Sequence, residues 1–173
     1  MYSTIIVDNF FKDPKKIIKI SKQLKYYPPM SYDNWAGLRT KSLHLTHYDL
    51  FNSIILKILS YYYSNTKIKF NDSSIYFSKL KAGNKGKTHF HYDEDVKIAA
   101  IIYLSSGNLE TGTTLFNKNE QKQIVIGNEL NSMVCYDGNK YHGPTNLKPL
   151  GKKERLTLNV FIKDIEIISW ENL

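Results

Sequence analysis

Apolar positions recur at helical spacing along the first third of the chain and at the two-residue spacing of strands along the rest. STIIVDNFF, residues 3–11, reads as a short strand. Asp13-Pro14 follows, a capping residue before the residue type best suited to a helix's first position. Ile17, Ile18, Ile20 and Leu24 then mostly share one side, so a helix is expected to about residue 25. YYPPMSYDNWAGLRTKS reads as a loop by its proline pair, Gly37 and Asn34, and is unusually aromatic for one. A second helix is expected over residues 50–63, with Asp49 standing where its cap would be. From Lys67 onward the pattern changes to KIKF, SIYFSKLKA, THFHYD, KIAAIIYLS, TTLFN, KQIVIG, SMVCYDG and RLTLNVFIKDIEI, punctuated by Gly-Asn pairs. Two helices followed by eight strands predict a mainly β fold with N-terminal helices, a double-stranded β-helix (jelly roll) core backed by two helices. One domain is expected over residues 1–173, with 1–66 as helical support and rim loop and 67–165 as the jelly-roll core.

Composition narrows the classes. A chain of 173 residues with 42% apolar types can bury most of its surface without staples, and its one cysteine, Cys135, cannot form an internal disulfide. Within an apolar strand, that cysteine is expected to be an inert core residue. No run approaches the about 20 apolar residues of a membrane helix, and the first residues lack the signature of a signal peptide. A soluble, cytoplasmic protein without a membrane partner is expected. The formal charge of +8 is spread over scattered lysines such as Lys15, Lys118, Lys122 and Lys152, so nucleic acid is not the expected partner.

Candidate chemistry sits at the edges of these strands. If His91 to Asp93 is extended, an imidazole and a carboxylate project from one face. A site of two histidines and one carboxylate needs a second imidazole, and His142, after the apolar run Ser132–Tyr136, is the candidate. Thirteen residues further on, Arg155, Thr157 and Asn159 share one strand face while Leu156, Leu158, Val160 and Ile162 share the other. This is the pattern of a strand with one side on a core and one on a polar cavity, where an arginine is available to hold a carboxylate by two parallel bonds.

In these pieces the chain resembles the Fe(II)/2-oxoglutarate-dependent dioxygenases, and among them the prolyl-hydroxylase-like branch. The matching segments are His91-Tyr92-Asp93, Ala100–Ser105, Gly112–Phe116, Tyr141-His142-Gly143 and Arg155-Leu156-Thr157, in that order over roughly residues 75 to 165. The resemblance implies that His91, Asp93 and His142 bind Fe(II) and that Arg155 pairs with the distal carboxylate of 2-oxoglutarate. It further implies hydroxylation of a C–H bond with O2, releasing succinate and CO2. Thr157 is placed to add a hydroxyl to the same carboxylate, and Tyr103 to hydrogen-bond the cosubstrate or to be a core residue. Tyr32, Trp35 and Arg39 are candidates for a rim that meets substrate, the alternative being a loop that caps the core. His89 shares a face with His91 in a regular strand, as a substrate contact or a polar residue at the mouth.

The same tripeptide occurs at His47-Tyr48-Asp49, where the helical spacing that follows argues against metal binding. Three departures stand out against the resemblance: Lys81 where relatives often have a tyrosine, Ile102 where the next strand's tyrosine is often found, and an interval from His142 to Arg155 longer than the usual nine or so. The last implies that a loop over 144–153 bulges out. A protein or peptide residue such as proline is the first expectation for substrate, with a free amino acid or other small molecule as alternative. A cupin-like sugar-binding or isomerase jelly roll remains open but has no need of Arg155. A nucleic-acid demethylase would carry a second arginine where this chain has Phe161. Oligomeric state is left open.

Overall fold

Asp13 caps the first helix as its type predicts: its side chain accepts from the backbone amides of Lys15 and Lys16, and α1 runs Pro14–Gln23. The computed structural model describes residues 2–31, 35–64, 66–82, 90–107, 109–117 and 121–168. The second helix, α2, is Tyr48–Ser60, two residues earlier than expected; its cap position is His47, and Asp49 lies inside the first turn. Helix α1 stops short of residue 25 because Leu24 is already extended and the next residues pair as a strand.

The strands are β1 (Ile5–Val7), β2 (Tyr26–Tyr27), β3 (Leu38–Thr40), β4 (Lys67–Lys81), β5 (Ile98–Tyr103), β6 (Thr113–Phe116), β7 (Lys122–Ile126), β8 (Met133–Asp137), β9 (His142–Pro144) and β10 (Glu154–Ile168). They form an antiparallel sheet in the order β1-β8-β5-β10-β4-β3-β2 and a smaller antiparallel sheet in the order β7-β6-β9. This is the expected jelly roll with corrections of detail. KIKF and SIYFSKLKA are one strand, because β10 runs antiparallel along the whole of β4 and satisfies its backbone groups through the polar Asn71–Ser74 stretch. Asp72 takes up the kink there at φ 39°, a conformation aspartate tolerates, and pairs with Lys163 at 3.3 Å. The rim loop contributes β2 and β3 to one edge of the larger sheet. The segment expected as a strand over 88–93 is described only from residue 90, where His91 makes an isolated bridge to His142.

Alternation divides each central strand between two cores. Ile98, Ala100 and Ile102 of β5, Met133 and Cys135 of β8, and Leu158, Val160 and Ile162 of β10 pack with Phe51, Ile54, Ile55 and Ile58 of α2. On the opposite face Ala99, Tyr103, Val134 and Tyr136 meet Leu115 and Ile126 of the smaller sheet. The polar run Arg155-Thr157-Asn159 on β10 therefore points between the sheets, as its spacing predicts.

Cys135 is fully buried on the helix side, Tyr62 Oη donates to its Sγ at 3.2 Å, and burial pushes its thiol up to about 11. Native protein is expected to resist iodoacetamide at pH 8 and to take one equivalent when unfolded in guanidinium, as read by mass spectrometry. Alkylation of the folded protein at the rate of a free thiol would contradict this placement.

Candidate metal and cosubstrate site

His91 and His142, far apart in sequence, meet because they stand directly opposite across one backbone bridge. His91 N donates to His142 O at 2.8 Å and His142 N donates to His91 O at 2.9 Å. Such a pair brings its side chains to one place, and the ring centroids lie 4.6 Å apart. Asp93 is fixed by a second anchor: its amide donates to Gly138 O at 3.0 Å in the turn after β8. A Cβ at Gly138 would stand 2.1 Å from Val96 O, so only glycine lets that turn approach. Tyr92, between the two candidate ligands, faces outward and packs on Tyr141 with centroids 4.9 Å apart.

The three side chains converge. One donor atom of each of His91, Asp93 and His142 lies within 4.8 Å of the others, with 3.4 Å from His91 Nε2 to Asp93 Oδ1 and from His142 Nε2 to Asp93 Oδ2. His142 Nδ1 lies 2.7 Å from Lys140 O, an acceptor only, so Nδ1 holds the proton and Nε2 presents a lone pair to the centre. Burial lowers the His142 pKa against the pull of Asp93, which keeps the ring neutral. Asp93 Oδ2 is buried without a hydrogen-bond donor among the described residues. Facing lone pairs at this spacing repel one another unless a cation sits between them, and two imidazoles with one carboxylate suit iron better than magnesium or calcium. The residues present fit the expected metal.

Behind this cluster a cavity opens between the sheets, lined among others by Arg39, Ser78, Thr113, Arg155, Thr157 and Asn159. Arg155 is 3% exposed, and among the described residues no carboxylate pairs with it. The two acids nearest in sequence are engaged elsewhere: Glu154 with Lys79 and Lys81, Asp164 with Lys97. Burial pulls the guanidinium's pKa down, against the pull of Tyr103, and an arginine keeps its charge in a protein. Tyr103, expected at the cosubstrate, does not line the cavity; its ring supports the guanidinium at 5.2 Å and its hydroxyl donates to Thr113 Oγ1 at 2.7 Å. Burial raises the Tyr103 pKa, so that proton stays on the phenol. Arg155 Nη2 also donates to Thr113 Oγ1, at 3.2 Å. With both lone pairs occupied, the Thr113 hydroxyl has its own proton left to give, toward the cavity. Thr157 lines the cavity and donates to Asn159 Oδ1 at 2.8 Å.

Trp35 and Arg39 reach the cavity; Tyr32 and His89 lie outside the described residues. Thr113, Ser78 and Tyr136 join the lining without having been expected there. Alternation carried the signal for two of them, since Ser78 follows the core residue Phe77 and Tyr136 follows Cys135. Lys81 stays outside, paired with Glu154 at 3.1 Å. The loop over 144–153 is pinned at two points: Leu150 is buried in a short 3-10 turn (Lys148–Leu150), and Thr145 bonds Thr114 at 2.9 Å.

No family model matches the sequence, and no curated protein matches it. Solved structures do. A prolyl-4-hydroxylase from Pseudomonas putida superposes with a TM-score of 0.61 at 14% identity, over 92% of this chain and 91% of its own. This is the fold of the 2-oxoglutarate/Fe(II) oxygenases. A prolyl hydroxylase from Trichoplax adhaerens, solved with a hypoxia-inducible-factor peptide fragment, gives 0.65 at 10% identity over 93% and 83%. The non-heme alpha-ketoglutarate-dependent epimerase SnoN from nogalamycin biosynthesis gives 0.67 at 12% identity over 96% and 80%. The described helices are too short or too polar to cross a membrane.

Proposed function

We propose that the chain is an Fe(II)- and 2-oxoglutarate-dependent dioxygenase that hydroxylates a C–H bond. The observation that carries this reading is the pairing of a convergent His91-Asp93-His142 cluster with a buried Arg155 that no carboxylate pairs with among the described residues, in one cavity. Neither feature suffices alone: a cupin-like binding protein can hold a metal, yet it has no use for Arg155.

Bound Fe(II), with 2-oxoglutarate and O2, supplies an oxidant for an unactivated C–H bond and releases succinate and CO2. His91, Asp93 and His142 would hold the ion, which would then be open to cosubstrate and oxygen. Arg155, backed by Tyr103, grips the far carboxylate, and Thr113 gives it a further hydrogen bond. Thr157 rotates its hydroxyl from Asn159 to join them. Ala99, Ile101 and Phe161 line the same cavity with apolar surface and keep water from the reacting centre. A peptide residue is the favoured substrate by likeness to the Trichoplax enzyme; a small molecule is the alternative by likeness to the epimerase.

Metal-free protein titrated anaerobically with Fe(II) and then 2-oxoglutarate is expected to develop the visible charge-transfer band of a chelated keto acid, absent in His91→Ala. Iron uptake without a band would remove the cosubstrate claim and favour the cupin-like reading.

A further inference from the structure

Thr157 has one hydroxyl proton and two groups that need it. In the structure the proton goes to Asn159 Oδ1 at 2.8 Å; under the dioxygenase reading the cosubstrate carboxylate at Arg155 takes it. Asn159 then loses the hydrogen bond that the described residues give its side chain. Its flanks offer no replacement, since Ile101 stands opposite it on β5, Phe161 follows on the same face of β10, and all three line the cavity. Across from Thr157, on β4, lies Ser78. It is 3% exposed, borders the cavity, and its Oγ has no hydrogen-bond partner among the described residues. A buried hydroxyl in that position calls for a partner from outside the fold. Asn159 and Ser78 are diagonal neighbours on adjacent strands, about 7 Å apart, so one small group reaches both. Together they present the carbonyl oxygen and two N–H donors of an amide beside one hydroxyl.

This side of the cavity is not where the far carboxylate of the cosubstrate goes. The Arg155 guanidinium leans toward β5 and the smaller sheet, over the Tyr103 ring at 5.2 Å and onto Thr113 Oγ1 at 3.2 Å, whereas Ser78 stands on the other side of β10. One row further along, Phe161, Ala99 and Tyr136 stand side by side, and the Tyr136 ring lies 4.8 Å from that of His142. Asn159 therefore stands between the grip on the cosubstrate and the row that meets the metal ligands. We propose that Asn159 and Ser78 bind an amide of the substrate, Asn159 pairing with its C=O and N–H and Ser78 closing on its oxygen, and that Thr157 frees Asn159 for this only once the cosubstrate is bound. The substrate is thus an amide, of a peptide backbone or of a small carboxamide. This rests on the dioxygenase reading for the use of the site. Asn159 is a specificity-determining residue: it selects and orients, and takes no part in the oxidation.

The test uses protein loaded with Mn(II), titrated by calorimetry with benzamide and with acetophenone, which keeps the carbonyl and has a methyl group in place of the amide nitrogen. With 2-oxoglutarate bound, benzamide is expected to bind about tenfold more tightly, the worth of one well-made hydrogen bond, and Asn159→Ala to erase that preference. Ser78→Ala, a small change that folding tolerates, is expected to weaken benzamide several-fold. Without 2-oxoglutarate, benzamide is expected to bind several-fold more weakly, and by linkage benzamide strengthens 2-oxoglutarate by the same factor. Thr157→Val is expected to abolish this mutual dependence while the preference for benzamide persists. A second arm compares blocked hexaglycine with blocked hexasarcosine, whose N–H groups are methylated. Discrimination in the peptide arm alone would assign the amide to a peptide, and in the benzamide arm alone to a small molecule. Equal binding within both pairs, no binding in either arm, a preference that survives Asn159→Ala, or a mutual dependence that survives Thr157→Val would each overturn the proposal. Uptake of 2-oxoglutarate is measured first in the same sample; its absence counts against the dioxygenase reading, while dependence of amide binding on Asn159 and Ser78 is scored either way.

Discussion

His142→Ala protein is expected to take up no Fe(II) at concentrations that saturate the parent, a loss larger than the about 10- to 100-fold that follows removal of an outer-shell partner. The side chain is almost fully buried, its ring is held between Lys140 O and the ring of Tyr136, and its Nε2 points at Asp93. Alanine leaves one imidazole and one carboxylate, and among the described residues no other His, Cys, Asp or Glu joins the cluster. Calorimetry with Fe(II) or Co(II) measures the loss, and circular dichroism shows whether the sheets persist. His47→Ala is the matched control, since it breaks the other His-Tyr-Asp tripeptide, which the structure puts at the start of α2. Full metal affinity in His142→Ala, or lost affinity in His47→Ala, would sink the assignment.

Arg155→Met separates function from stability in opposite directions. A buried guanidinium without an anionic partner costs free energy that a methionine of similar length does not. The ligand-free variant is therefore expected to melt no lower than the parent in differential scanning fluorimetry. Its affinity for 2-oxoglutarate is expected to fall by about 2–5 kcal/mol, the cost of deleting one member of a buried charge pair, or roughly 30-fold to several thousand-fold. Iron binding stays intact. Arg155→Lys keeps the charge without the planar fork and is expected to recover part of the loss. A large drop in melting temperature with unchanged 2-oxoglutarate affinity would make Arg155 a structural residue instead.

The features legible in the sequence were those written at short range. Alternation along β10 separated Arg155, Thr157 and Asn159 from Leu158, Val160 and Ile162 without any knowledge of the partner strands. Asp13-Pro14 fixed the start of α1 because a cap acts on the next three residues. Features that depend on a partner were not legible. The continuity of β4 through Asp72 is imposed by β10, β3 exists because the edge of β4 offers it hydrogen bonds, and β2 because β3 then offers its own. In the cavity, His91, Asp93, His142 and Arg155 were identifiable because few other residue types do their chemistry. Thr113 and Ser78 were not, since a buried hydroxyl looks like any other until its neighbours are known. Tyr103 lay between the two cases: its strand and face were predictable, whereas its position behind Arg155 depends on Thr113.

The bridge between His91 and His142 also bears on how such a chain can change over generations. Each end of the stretch from His142 to Arg155 is pinned independently, the first to β6 and to His91, the second to β4. The thirteen-residue interval between them is then a tether whose length carries little information. Lengthening it from about nine residues costs only about 0.3 kcal/mol of closure entropy. A single insertion within β10, by contrast, would turn Arg155 toward the aliphatic core and a leucine toward the cavity. Drift can stretch the connections and rewrite most of the surface while the strands' parity stays locked, leaving a shared shape where the spelling differs.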